Sequence, residues 1–200
     1  MKEVNENYKK LFVNINASKS LNYIIDVFPN PFALKSKKDS NLITDLMEKI
    51  ETKFSPDKSV RGKIFEYLFM LVLLRKNISP FFYQAKMTYV PNVIFDFILF
   101  QGNVPIAISL KTSARERYKQ VELEALVLKQ VHKNAKCIFL LYNYEDVRSL
   151  EVKKRNFEIS YIDEIISSQT SSFDKLIKKL INHSYTSPER VDVVKGIEIG

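Results

Sequence analysis

The sequence predicts an α/β fold in which a mixed central β-sheet is flanked by helices. Three observations predict it. The apolar period changes from helical to strand-like near Phe81. Strand-like runs then follow one another as far as Lys111 before a helical pattern returns. A short apolar run, Cys137 to Tyr142, comes after that helix. Elements in the order αβββαβ each have one apolar face to bury, and a sheet layered between helices buries all of them. With 200 residues, 46% of them apolar, the chain has material for the core of one domain.

The elements follow in order. Up to Lys38 the chain contains Pro29-Asn30-Pro31 and Lys35-Ser36-Lys37-Lys38, which read as loop. Asp39 or Ser40 resembles an N-cap for a helix through Leu42, Leu46 and Ile50. Ser55-Pro56-Asp57 breaks it, and Ser59 reads as the cap of a second helix. That helix carries Ile64, Phe65, Leu68, Phe69, Val72 and Leu73 on a wide apolar face. Phe82 to Val90 and Val93 to Phe100 read as strands, the second rich in β-branched and aromatic residues. Gly102-Asn103 is a turn signal, and Val104 to Lys111 is the next strand. Glu116 to His132 reads as a helix, Phe157 to Ile162 as a further strand, and Ser172 to Ile181 as an amphipathic helix. The expected division is an N-terminal helical and loop region, residues 1–58, packed on a core of residues 59–200, the whole forming one compact domain.

Composition narrows the function classes. Lys and Arg total 31 against 23 acids, a net charge of +8, and this excess favours an acidic partner such as nucleic acid. Only four glycines are present, too few for a phosphate-cradling glycine loop, so no nucleotide cofactor is expected. The single Cys137 sits in an apolar run with no histidine beside it in sequence. It reads as a small core residue in a reducing, cytoplasmic environment. No apolar stretch reaches the ~18 residues of a membrane span. The polar, acidic start of the sequence is unlike a signal peptide. His132 and His183 lack a metal-ligand spacing.

The hairpin permits a register calculation. With Gly102-Asn103 as a two-residue loop, Gln101 faces Val104 and paired residue numbers sum to a constant. Asp96 then lies opposite Ser109, and Lys111, two residues on, shares that face. Ile106, Ile108 and Leu110 point the other way. A carboxylate and an ammonium on one side of an apolar hairpin are costly unless paired or bound to a metal. An Asp–Lys ion pair at a sheet end satisfies this by itself. The following helix adds a second acid. Gln120 and Glu124 share a helical face, and Glu124 stands beside Val121 and Leu128, the side that meets the sheet. Two carboxylates and a lysine suit phosphodiester hydrolysis: the acids hold one or two Mg2+ ions, and the lysine orients or deprotonates the attacking water. Glu122, on a neighbouring face, is the alternative second acid.

Pro91-Asn92-Val93-Ile94-Phe95-Asp96 followed by Ile108-Ser109-Leu110-Lys111 resembles the PD-(D/E)xK nuclease signature. The resemblance covers about residues 61–142. Two departures are visible: the proline precedes Asp96 by five residues, and Ser109 stands where an acid is expected. Type II restriction endonucleases with a Ser-x-Lys strand and a glutamate moved to the next helix are similar, with Glu124 in the moved position. The resemblance implies a restriction-endonuclease-like αβββαβ core and Mg2+-dependent cleavage of double-stranded DNA at a short specific sequence. Asp96, Lys111, Glu124 and Ser109 would be catalytic, and Asp96, Glu124 and Glu66 would hold metal. Arg61, Lys63, Arg115, Arg117, Lys119 and Gln120 flank the site in sequence and suit the DNA backbone. A homodimer is expected, because a palindromic duplex is read most simply by two-fold related subunits. The apolar residues Leu11, Phe12, Val27 and Phe28 offer a candidate interface. Another nuclease of the same fold, or a non-catalytic DNA-binding module on a decayed core, stays open beside this reading.

Overall fold

The structure, a computed structural model, describes residues 18–30, 38–114, 117–187 and 193–199. Arg115, Leu11 and Phe12, and the expected loop at residues 35–37 lie outside the described residues. Helices α1 (Lys19–Val27), α2 (Asp39–Phe54) and α3 (Lys58–Arg75) precede strands β1 (Phe81–Met87), β2 (Phe95–Gln101) and β3 (Val104–Lys111). After them come α4 (Arg117–Val131), β4 (Lys136–Leu141), α5 (Tyr144–Arg155), β5 (Glu164–Ser167), α6 (Ser171–Ile181) and β6 (Val193–Ile199). The expected αβββαβ order is therefore present from α3 to β4.

The six strands form one mixed sheet in the order β5-β4-β3-β2-β1-β6. Strands β3, β4 and β5 run parallel to one another, and the pairs β2–β3, β1–β2 and β1–β6 are antiparallel. The hairpin register is the calculated one: Phe97 faces Ile108 and Gln101 faces Val104. Gly102 makes the turn with a positive φ of 59°, a conformation that costs glycine little.

Apolar residues divide between the two faces. Leu21, Ile43, Phe69, Leu99, Ile108 and Phe173 belong to one cluster, built by α1, α2, α3 and α6 on one side of the sheet. Val121, Leu128, Val147, Ile98, Ala107 and Phe139 belong to the other, built by α4 and α5. Helix α3 is buried continuously from Tyr67 to Leu73, because it packs between α1 and α2 on one side and the sheet on the other. Its apolar residues therefore run around the whole helix rather than along one stripe. The N-terminal helices share this cluster with α3.

Several local expectations change. Asp57, not Ser59, caps α3, its carboxylate accepting the Val60 N–H at 2.9 Å. Neither Asp39 nor Ser40 caps α2; Lys38 occupies that position. Asp174 of α6 instead accepts both the Ser40 N–H at 3.1 Å and the Ser40 hydroxyl at 2.8 Å, tying the first turn of α2 to α6. Phe157 to Ile162 is not a strand. The N–H groups of Ser160, Tyr161 and Ile162 all point at the Glu122 carboxylate, which ends their availability for a ladder. The strand begins later, at Glu164. Helices α1 and α5 and strand β6 fall in segments where the sequence reading assigned none.

Candidate active site

Asp96 is the centre of the site. It is buried to 8% exposure at the start of β2, where an unpaired carboxylate would be strongly disfavoured. Its two oxygens are met by three donors. The Leu110 N–H reaches Oδ2 at 2.8 Å and Lys111 Nζ reaches the same oxygen at 2.9 Å. Gln84 Nε2 donates to Oδ1 at 3.2 Å. Asp96 and Lys111 thus stand on adjacent strands and on one face, as the register calculation requires. The opposite outcome, with the two on different faces, would have removed the basis for a hydrolytic site. Ser109, buried between them in sequence position, shares the face.

Glu124 reaches the site from α4. Val121, Ala125 and Leu128 bury the inner side of that helix, and the spacing brings Glu124 to the same edge. Gln120 Nε2 donates to Glu124 Oε1 at 2.7 Å. Burial raises the Glu124 pKa above its ordinary value, and the charge of Asp96 adds to the rise. Gln120, Lys111 and the Ser109 hydroxyl oppose it. Glu124 therefore senses all three groups that the sequence placed on the hairpin face. Glu122 does not: it is committed to the three backbone N–H groups at 160–162.

Glu66 arrives from the opposite helical layer, on α3. Its Oε2 accepts from Tyr83 Oη at 2.6 Å, from Lys63 Nζ at 3.0 Å and from Gln84 Nε2 at 3.2 Å. Sequence reasoning did not place Gln84 among the catalytic or metal-holding residues. Its one amide nitrogen lies between the Glu66 and Asp96 carboxylates and links the two layers. It does so from a backbone with φ of 50°, within the stretch where β1 shifts register against β6. Bulged residues re-aim side chains in this way. No composition signal marks such a position. Burial, then the Asp96 charge, raises the Glu66 pKa, while Lys63 and Tyr83 lower it.

Cations and loops complete the surroundings. Lys63 is held between Glu66 and the Tyr83 ring, 4.8 Å from its centroid. Arg61 pairs with Glu51, and its guanidinium lies 5.3 Å from the centroid of the Tyr142 ring. Arg117, Lys119 and Gln120 are exposed on the first turn of α4. The loop after Lys111 is pinned by the Asp146 carboxylate, which accepts the Ala114 N–H at 2.7 Å. Cys137 is buried and its thiol is pushed up to about 12, mainly by burial, so it is an inert core group rather than a nucleophile.

Among the described residues, no three His, Cys, Asp or Glu side chains gather closely enough to hold a metal ion. Mg2+ needs fewer protein ligands than that, taking one or two carboxylates together with water and substrate phosphate. The donor set fits such a cation. Asp96 and Glu124 are hard oxygen donors on one face, and Asp96 pushes up both Glu66 and Glu124, a repulsion that added positive charge relieves. Comparison with protein-family models and with curated proteins finds no match for this sequence.

Proposed function

We propose that this chain is a Mg2+-dependent nuclease of the PD-(D/E)xK type, acting on double-stranded DNA, and most specifically a type II restriction endonuclease. One observation supports this above the others. The half-buried Lys111 pairs at 2.9 Å with the buried Asp96 on the sheet face that carries Ser109, and the Glu124 carboxylate of α4 feels the charges of both partners. A structural ion pair needs no second acid within reach of its charges.

Asp96 and Glu124 would hold the cation, with Glu66 next to them. When bound, the ion would lower the pKa of a water and neutralise charge growing on the phosphate. Lys111 is fixed by Asp96, so its ammonium is directed rather than free to wander, and it would donate a hydrogen bond that orients the attacking water. The Ser109 hydroxyl steadies Glu124. Gln84 keeps Glu66 and Asp96 in a fixed relation across the two layers. The net charge of +8 and the exposed Arg117 and Lys119 support attraction of a polyanion. The buried Cys137 thiol supports a reducing compartment, and no helix among the described residues is long and apolar enough to cross a membrane.

Ser109 in place of an acid favours a second reading, a DNA-binding module that no longer cuts. A plasmid digest with Mg2+ separates the two. Discrete fragments are expected; smearing or nicking would mean a different nuclease of the same class, and retained binding without cleavage would mean the module. For a restriction enzyme the active form is a two-fold dimer, since one site per subunit cuts one strand. Sedimentation of the protein on a DNA fragment is expected to show two chains per duplex, and a single chain per duplex would contradict the dimer. Of the residues named for the interface, Phe28 is buried and Val27 is half-buried against the same core cluster, so neither presents an open apolar face.

A further inference from the structure

We infer that Tyr89 is a DNA-contacting wedge beside the reaction centre, its ring packing on a base or sugar in the groove next to the phosphate that is cut. The inference rests on the nuclease reading above and names a contact that reading does not assign.

Tyr89 lies in the turn joining β1 to β2, which leads directly into Asp96. It is 84% exposed, and its φ is 62°. Left-handed backbone is disfavoured for a bulky side chain. The Val90 N–H bonds the Met87 carbonyl at 3.2 Å, which closes a turn in which Tyr89 holds the position where positive φ calls for glycine or asparagine. An exposed aromatic ring there gains no burial in the free protein to offset the backbone cost. Phe157 is the instructive contrast. It too is exposed with a positive φ, of 60°, but it ends α5, where Phe157 N–H bonds Lys154 and Glu158 N–H bonds Lys153 in a helix-terminating pattern. Tyr89 has no such helix to finish.

The turn is built to present this ring. Val90 and Val93 are buried at 4% and 6% in the apolar cluster under α4, and Asn92 adds a second left-handed residue, with φ of 61°. Two inward anchors with two reversed residues leave Tyr89 and the 48% exposed Ile94 facing outward. Ile94 is two residues from Asp96. On the other flank, Lys86 of β1 is paired in register with Lys195 of β6, and both are exposed. An exposed aromatic on the turn that joins the lysine-bearing end of β1 to the strand of Asp96 has the chemistry of a nucleic-acid contact: cations for phosphate, a ring for bases.

The test uses the full chain, a plasmid and a linear plasmid fragment. Tyr89→Gly is expected to melt at or above the wild-type temperature, since glycine relieves the backbone strain. It should bind the fragment about ten-fold more weakly or worse, the scale of one lost stacking contact, and cleave the plasmid correspondingly more slowly at sub-saturating DNA. Tyr89→Phe should behave as wild type. Equal binding and cleavage by Tyr89→Gly, with wild type active, overturns the wedge and leaves the nuclease reading standing. Equal loss in Tyr89→Phe assigns the contact to the hydroxyl and also overturns it. Wild type that binds without cutting, with binding lost in Tyr89→Gly, supports the wedge and sinks the catalytic reading. Wild type that neither binds nor cuts sinks both.

Discussion

Asp96→Asn is expected to abolish plasmid cleavage while the protein still folds. The amide keeps the shape of the side chain and one acceptor oxygen, so the Leu110 N–H retains a partner. The charge that holds Lys111 and would hold the cation is gone. The loss should be on the order of 10²–10³-fold or more, the scale seen when one charge-stabilising group is removed from a catalytic centre. Asp96→Ala should be equally inactive and less stable. It strips partners from a buried N–H and from the Lys111 ammonium, at a cost of roughly 1–3 kcal/mol for each unmatched group. Lys111→Ala should match the loss of activity. Cleavage by Asp96→Asn within a few-fold of wild type would end the assignment of this carboxylate to the reaction.

The pair Glu124→Ala and Glu122→Ala should separate cleanly, in opposite directions. Glu124→Ala is expected to lose cleavage by a similar factor with no loss of stability. Its folded-state pKa is raised above the ordinary 4.5, chiefly by burial, so the folded chain holds this proton more tightly than the unfolded chain. Ionisation therefore works against folding, fully so above the raised pKa and not at all below the unfolded value of about 4.5. Without divalent cation, the melting temperature of Glu124→Ala at neutral pH should equal or exceed that of wild type. The difference should fade as the pH drops toward 4.5. Glu122→Ala should do the reverse. It removes the acceptor for three backbone N–H groups, destabilising by roughly 1–3 kcal/mol, and leaves cleavage near wild type. Ser109→Ala should be mild beside either catalytic loss. Normal cleavage by Glu124→Ala together with an inactive but folded Glu122→Ala would place the second acid on the other helical face.

What the sequence disclosed, it disclosed through short periods. A two-residue turn and a side-chain period of two suffice to set Asp96 opposite Ser109 and Lys111 on their face. A helical period of 3.6 suffices to turn Glu124 toward the sheet with Val121 and Leu128. The parts that stayed hidden depend on tertiary partners. Gln84 enters the site through a bulge whose cause is the whole β1–β6 contact. Helix α5 buries only Val147 and Leu150, too few to print a pattern. Strand β6 alternates weakly because it is an edge strand, and its partner β1 lies far upstream. Phe157 to Ile162 has the composition of a strand, but Glu122, from a helix far earlier in the chain, claims its N–H groups. The apolar pattern of α3 was legible as a helix, while its burial on all sides required knowing that α1 and α2 cover it.

The amide of Gln84, bonded at once to a glutamate from one helical layer and an aspartate from the sheet, has a consequence for when the molecule becomes competent. Glu66 docks with the layer of α1, α2, α3 and α6, whereas Glu124 docks with that of α4 and α5. Neither layer alone assembles the constellation, and the hairpin alone carries only Asp96, Ser109 and Lys111. A chain that is still emerging, or one whose outer layer has opened locally, holds fragments of the machinery without its geometry. Any property that needs all of these groups together therefore requires both helical layers to be packed on the sheet, and is lost when either layer loosens.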